Sequence, residues 1–309
     1  NAKYFPVFTD SDGDTRYFSP FEAVEETTEF GHYQSLGSPL VFDKYDVELY
    51  ASERNSAKKN EIVAERIKYI CDEIKRSGAV AQINHPYSVS TMGFNNWELA
   101  DLFDTVEIWN GNFPPCDGRY EKEGQNYKSK MKWFDCLNKG IKLSCTGGTD
   151  NHDTSSPEEK SDVTIDKIDG YETYNEYYAS LGKYSGMPTT YLNLDVVNKD
   201  NVLTALKDGN AFVSNGPVID SNVNGVSYGE TYALGTEDPT LNINLFNRDG
   251  LESYQIVKNG EIVKNVTLNK EMNYKNNVVL EDIKANDWIV LEAFGKGTEY
   301  AITNPIYFK

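Results

Sequence analysis

Histidine is scarce in this chain, with three in 309 residues, and cysteine, methionine and tryptophan occur four times each. Positive charge is also short: 30 Lys and Arg stand against 48 Asp and Glu, a formal net charge of −18. Such a field repels phosphate backbones, so a nucleic-acid partner is not expected. No apolar run approaches the roughly 18–20 residues that span a bilayer, so no membrane span is expected. Cys71, Cys116, Cys136 and Cys145 form no CxxC pair, which argues against a thiolate zinc cluster or a disulfide framework. Cys71, Cys136 and Cys145 fall in apolar patterns and read as small hydrophobes. There is no GxxxxGKS/T phosphate loop and no GxSxG nucleophile elbow. Asn1-Ala2 reads as a tag remnant ahead of Lys3, so the natural chain is expected to continue upstream, with a domain or segment removed. A bacterial protein, secreted or at the cell surface rather than cytoplasmic, is the expected setting.

The middle of the chain alternates strand and helix. Ile62, Val63, Ile67, Ile70, Cys71 and Ile74 form a 3.6-period stripe closed by Gly78. Ala79–Ile83 then reads as a buried strand running into Asn84-His85-Pro86. Thr105–Trp109 is a second strand, ending in Asn110-Gly111. A helix around Met131–Leu137 stops at Gly140, and Ile141–Cys145 is a third strand running into Gly147-Gly148-Thr149-Asp150-Asn151-His152. Thr190–Leu194, a helix Asn201–Lys207 and Ala211–Val213 follow. Such alternation predicts βα units, whose functional loops follow the carboxyl ends of the strands. From about Asn215 the helical periods vanish and short alternating strands appear, with Asn259-Gly260 as a type I′ hairpin signal. Two domains are expected: 1–215, α/β, and 216–309, a β-sandwich of immunoglobulin-like size.

With so few histidines, their positions carry weight. His32 follows the acidic run Glu22, Glu25, Glu26; His85 and His152 sit at predicted strand ends. Imidazole and carboxylate are the usual ligands of zinc, manganese and iron, and Asp150-x-His152 offers both groups from one loop. Spacing alone does not settle a site, because neither HxH nor HxxxH occurs. Glu107, inside a strand, reads as a buried hydrogen-bonding group, and Asn110-Gly111 as a turn.

Taken in order, Ala81-Gln82-Ile83-Asn84-His85-Pro86, Val106-Glu107-Ile108-Trp109-Asn110-Gly111 and Gly147–His152 resemble signature blocks of the PHP (polymerase and histidinol phosphatase) superfamily. Pro188-Thr189-Thr190, the block Ala205–Pro217 and the acidic-then-GH block Glu25–His32 resemble its CehA/McbA-like branch. The resemblance runs from about Glu22 to Pro217. It implies a distorted (β/α)7 barrel, here incomplete at its start, followed by the small all-β sandwich. It also implies metal ligands at His32, His85, Asp150 and His152, and a bridging carboxylate from Glu22, Glu25 or Glu26, with Glu25 preferred. Asp150 and His152 would complete the site as the catalytic pair.

The family's opening HxH and TDH motifs are not reproduced. Phe8-Thr9-Asp10-Ser11-Asp12-Gly13 aligns either with the TDH block, Ser11 replacing histidine, or with the tail of the first block. The expectation is therefore a reduced site with one or two divalent ions (Zn, Mn or Fe). The expected function is hydrolysis of a small-molecule phosphate ester by metal-activated water. The alternative is an inactive scaffold of the same kind, serving as a binding or structural module.

Overall fold

The computed structural model describes residues 7–9, 15–17, 22–28, 30–40, 56–88, 93–111, 114–116, 124–150 and 188–309. Strands β1 (Val7–Thr9) and β2 (Thr15–Tyr17) pair antiparallel as a separate ribbon. Next come β3 (Ala23–Thr28) and β4 (Gly31–Leu36), a tight hairpin in which the Thr28 hydroxyl donates to the Gly31 carbonyl at 2.6 Å. Helix α1 (Ser56–Arg76) buries Val63, Ile67, Ile70, Cys71 and Ile74 along one side. Its last turn carries Lys75 and Arg76, which suit the negative end of the helix dipole.

Strands β5 (Val80–Asn84), β6 (Thr105–Asn110) and β7 (Ser144–Gly148) complete a five-stranded sheet in the order β3-β4-β5-β6-β7. Strand β4 pairs antiparallel with β5, whereas β5, β6 and β7 run parallel. A 3₁₀ stretch, Trp97–Leu102, lies between β5 and β6, and helix α2 (Gln125–Asn138) between β6 and β7. Period-2 alternation sorts the two faces of this sheet. Tyr33, Ala81, Ile83, Val106, Ile108 and Cys145 enter an apolar core with α1 and α2. The opposite face presents Gln34, Gln82, Asn84, Glu107 and Thr146 to a cavity.

Strand β8 (Thr189–Leu192), helix α3 (Lys199–Asp208) and β9 (Ala211–Ser214) follow. The helix starts on Asn198, whose side chain accepts from the Asn201 amide at 2.8 Å, and stops at Gly209, left-handed at φ +75°. The rest is strand: β10 (Val218–Val223), β11 (Val226–Ser227), β12 (Thr231–Tyr232), β13 (Thr240–Lys258), β14 (Glu261–Val279), β15 (Trp288–Gly295), β16 (Tyr300–Thr303) and β17 (Ile306–Phe308). Together β8 to β17 make one ten-stranded sheet. The Asn259-Gly260 turn has φ of +53° and +88°, as a type I′ turn requires. Leu241–Phe246 and Ser253–Val257 lie in one continuous strand. The polar Asn247–Gly250 stretch between them is absorbed as register shifts, with Gly250 at φ +94° against the backbone of Lys270.

The expected α/β architecture, a distorted (β/α)7 barrel, is not what forms. Among the described residues strand outweighs helix, and the two large sheets do not close into a barrel. Two local causes are visible. The Thr28–Gly31 connection is too short for a crossover, so β3 and β4 must be antiparallel. At the other edge, β8 pairs with β9 and β9 with β16, which draws both into the ten-stranded sheet. Strand β8 meets β7 through a side chain instead of a ladder: Thr190 Oγ1 donates to the Gly147 carbonyl at 2.9 Å and accepts from its amide at 3.0 Å.

The position expected as a domain boundary, 215/216, falls between β9 and β10 within this one sheet. One apolar cluster also runs from α1 and β6 to Val257, Trp288, Val290, Phe294, Tyr300 and Ile302. Polar bonds cross the same contact. Lys130 of α2 meets Glu292 of β15 at 2.8 Å, and Asn304 clamps the backbone of Cys145, accepting from its amide at 2.6 Å and donating to its carbonyl at 3.1 Å. No helix among the described residues is long and apolar enough to cross a membrane.

Candidate metal centre

Neighbouring strands bring the site together. Register places His32 opposite Asn84, Gln34 opposite Gln82 and Glu25 opposite Gln34 on one face of the sheet. Glu25 Oε1 lies 3.2 Å from His32 Nδ1 and 3.3 Å from His85 Nε2, and accepts from Asn84 Nδ2 at 2.9 Å. The two imidazoles stand edge to face, centroids 4.8 Å apart. Asp150, just beyond β7, brings Oδ2 to 3.9 Å from His85 Nε2. His85 is 6% and His32 9% exposed, while the Glu25 side chain stays 29% open to the cavity.

Alternation also decides among the acids. Glu26 faces the other side of β3, with a carboxylate oxygen 3.7 Å from Arg66 Nη2, and Glu22 lies ahead of the strand. Glu25 is the acid the hairpin delivers to both imidazoles. His152 lies outside the described residues.

His85 and Asp150 have φ of +23° and +49°, an unfavourable region for residues with side chains. For His85 the strain is doubled, because a residue before proline is confined to extended conformations. What holds it is Glu107, whose Oε2 accepts from the His85 amide at 2.9 Å and from Asn110 Nδ2 at 3.0 Å. Burial is the main force on this carboxyl and raises it from its ordinary 4.5 to about 7, against the lowering pull of those two bonds. Glu25 is lowered to about 2, first by its bond to His85, against burial and with help from Asn84 and His32. Burial opposes charge on His85, yet Glu25, Glu107 and Asp150 outweigh it and raise its pKa above the ordinary 6.5.

Beneath the cluster lies a saturated amide network. Gln82 Nε2 donates to Gln34 Oε1 at 3.1 Å and Asn84 Oδ1 at 2.9 Å. Its Oε1 accepts from the Thr105 and Thr146 hydroxyls at 3.1 and 2.9 Å. Such a network fixes Asn84, and through it Glu25. These supporting residues were not singled out as site residues from sequence. Their signal was a polar residue at every second position of strands otherwise buried on both faces: Gln82 and Asn84, Thr105 and Glu107, Ser144 and Thr146.

Two imidazole nitrogens and a carboxylate oxygen form a set suited to zinc, manganese or iron. In Glu25, His32 and His85 these atoms lie within 4.8 Å of one another. An ion held by these three donors would border a cavity of about 300 Å³, as catalytic rather than structural metals do. The four cysteines are buried and are not part of this cluster.

No family model matches the chain, and no curated protein matches it. Among solved structures, an engineered protein is 7% identical, covering 67% of this chain and 49% of its own, with a TM-score of 0.21. An FMN-binding β-glucuronidase from Facaelibacterium prausnitzii L2-6 is 13% identical, covering 78% of this chain and 37% of its own, with a TM-score of 0.19. The chain spans half or less of these proteins, and likeness this slight carries no argument about fold or function.

Proposed function

We propose that this protein is a metal-dependent hydrolase whose ion is held by Glu25, His32 and His85, with Asp150 beside it. The convergence of these groups from β3, β4 and β5 carries the reading. A divalent ion there would supply Lewis acidity and a lowered pKa for water. The chain's own part is to orient the two imidazoles, to keep Glu25 ionised, and to wall the cavity with hydrogen-bonded amides. Asp150, which lines the cavity, would orient a water there, and His152, the other half of the expected pair, lies outside the described residues. Small phosphate esters are the substrate class. That choice, and the assignment to the PHP superfamily, rest on the order of the motif blocks and not on a barrel.

The second reading is a scaffold that keeps the cluster without turnover, and the missing HxH favours it. The test is to load purified protein with zinc, manganese or iron, measure bound metal, and assay p-nitrophenyl phosphate. The hydrolase reading expects stoichiometric metal and turnover that falls about 100-fold or more in His85→Ala. Bound metal with no turnover, or protein that stays metal-free under every loading condition, overturns the hydrolase reading and supports the scaffold.

A further inference from the structure

We infer that Asn126, in the first turn of α2, is a positioning residue for His85. The inference rests on the proposed metal site, but the hydrogen bonds behind it stand whether or not a metal binds. Asn126 grips both sides of one residue where β6 ends: its Oδ1 accepts from the Asn110 amide, and its Nδ2 donates to the Asn110 carbonyl, each at 3.0 Å. The gripped residue sends its own side chain back along the strand to Glu107 Oε2, at 3.0 Å. That same oxygen accepts from the His85 amide at 2.9 Å. Three hydrogen-bonded steps thus connect α2 to the strained residue that aims an imidazole at Glu25. Asn126 does not line the cavity, so it acts through others.

The helix that carries it is itself anchored. One turn on, Lys130 Nζ lies 2.8 Å from Glu292 Oε1, and the Tyr300 hydroxyl donates to the same oxygen at 2.7 Å. Lys130, Glu292 and Tyr300 are all buried. Helix α2 therefore fixes the end of β6 from a frame set by the ten-stranded sheet. Without the Asn126 grip, Asn110 can rotate, Glu107 loses a partner, and the φ of +23° at His85 is no longer enforced. Outer partners of metal-binding histidines matter in this way: losing them typically costs 10- to 100-fold in metal affinity.

The test uses two histidine amides as probes. Full-length protein labelled with ¹⁵N-histidine gives one amide for His85 and a reference amide for His32, whose strand pairing does not involve Asn126. In metal-free Asn126→Ala, exchange of the His85 amide should quicken about tenfold relative to His32, the equivalent of one lost hydrogen bond. Zinc affinity measured by calorimetry should fall about tenfold. Asn126→Asp keeps the acceptor for the Asn110 amide and should recover part of both effects, and it serves alone if the alanine variant does not fold. A merely structural role would speed both amides together, and that result overturns the inference, as does an unchanged ratio. If wild-type protein takes up no zinc, manganese or iron but the ratio still shifts, the positioning role stands and the metal reading falls.

Discussion

Nε2 of His85 lies 3.3 Å from Oε1 of Glu25, joining a residue at the end of β5 to one in the middle of β3. The contact explains the opposite displacements of the two groups: the carboxyl is lowered and the imidazole raised because each favours the other's charge. It also makes the metal-free protein hold a proton where the metal-bound form would hold an ion.

That proton gives a pH signature. A lowered carboxyl contributes stability that is present above its ordinary 4.5 and lost as pH falls toward about 2. A raised imidazole contributes below its ordinary 6.5, and the contribution is lost as pH rises through the folded value. Both describe one pair, counted once. In EDTA, the stability margin of wild type over Glu25→Gln should therefore be widest between pH 4.5 and 6.5. Urea titrations at three pH values, one inside that window and one on each side, check this. A flat margin would show that the pair is not formed.

Metal should reverse the pH trend. Zinc displaces the shared proton, so its affinity should rise with pH through the His85 titration. At about 100 times Kd, zinc should stabilise the fold by about 2.7 kcal/mol. For a chain of this size that is a melting shift of several degrees, undone by EDTA. His32→Ala and His85→Ala should melt at the same temperature with and without zinc, and a retained shift in either removes that residue from the site.

The site was more legible in the sequence than the fold. In the candidate site His32 and His85 stand out because imidazoles are rare here, and His85 and Asp150 because they follow predicted strands, and these positions are read without knowing how strands pair. Pairing direction is a tertiary property. Glu25–His32 reads as an acidic-then-GH block, yet the two-residue connection within it forces an antiparallel hairpin that no βα pattern anticipates. The joining of β9 to β16 depends on contacts between residues such as Val213 and Ile302, far apart in the chain, and leaves no local periodicity. Glu107 was read as a structural carboxyl, and it is one, but what it supports is the backbone of His85.

Lys130→Met should be among the most damaging single changes. It leaves Glu292, 2% exposed, with its charge unpaired, at a cost of about 3–5 kcal/mol. Lys130→Met combined with Glu292→Gln removes the charge while keeping an acceptor for Tyr300, and should recover most of the loss. Because the apolar cluster is continuous between the two large sheets, wild type should melt in one calorimetric transition. Two resolved transitions would show that the sheets fold independently.

Adjacent glycines at the end of β7 separate packing from site geometry. A Cβ on Gly147 would lie 2.5 Å from Val213 Cγ1 and 3.0 Å from the Trp109 carbonyl oxygen. The methyl belongs to a fully buried side chain and the carbonyl is backbone, so neither gives way cheaply. Gly147→Ala should cost about 1–3 kcal/mol in urea denaturation. Adding Val213→Ala should relieve only the first clash and restore part of the loss. A Cβ on Gly148 would instead sit 3.3 Å from Glu107 Oε1, a group with some room to shift toward the cavity. Gly148→Ala should therefore cost less stability than its neighbour and more zinc affinity, since movement of Glu107 is passed to the His85 amide. Equal effects of the two substitutions on stability and on zinc would mean that β7 contributes packing alone, and that Glu107 does not govern the aim of His85.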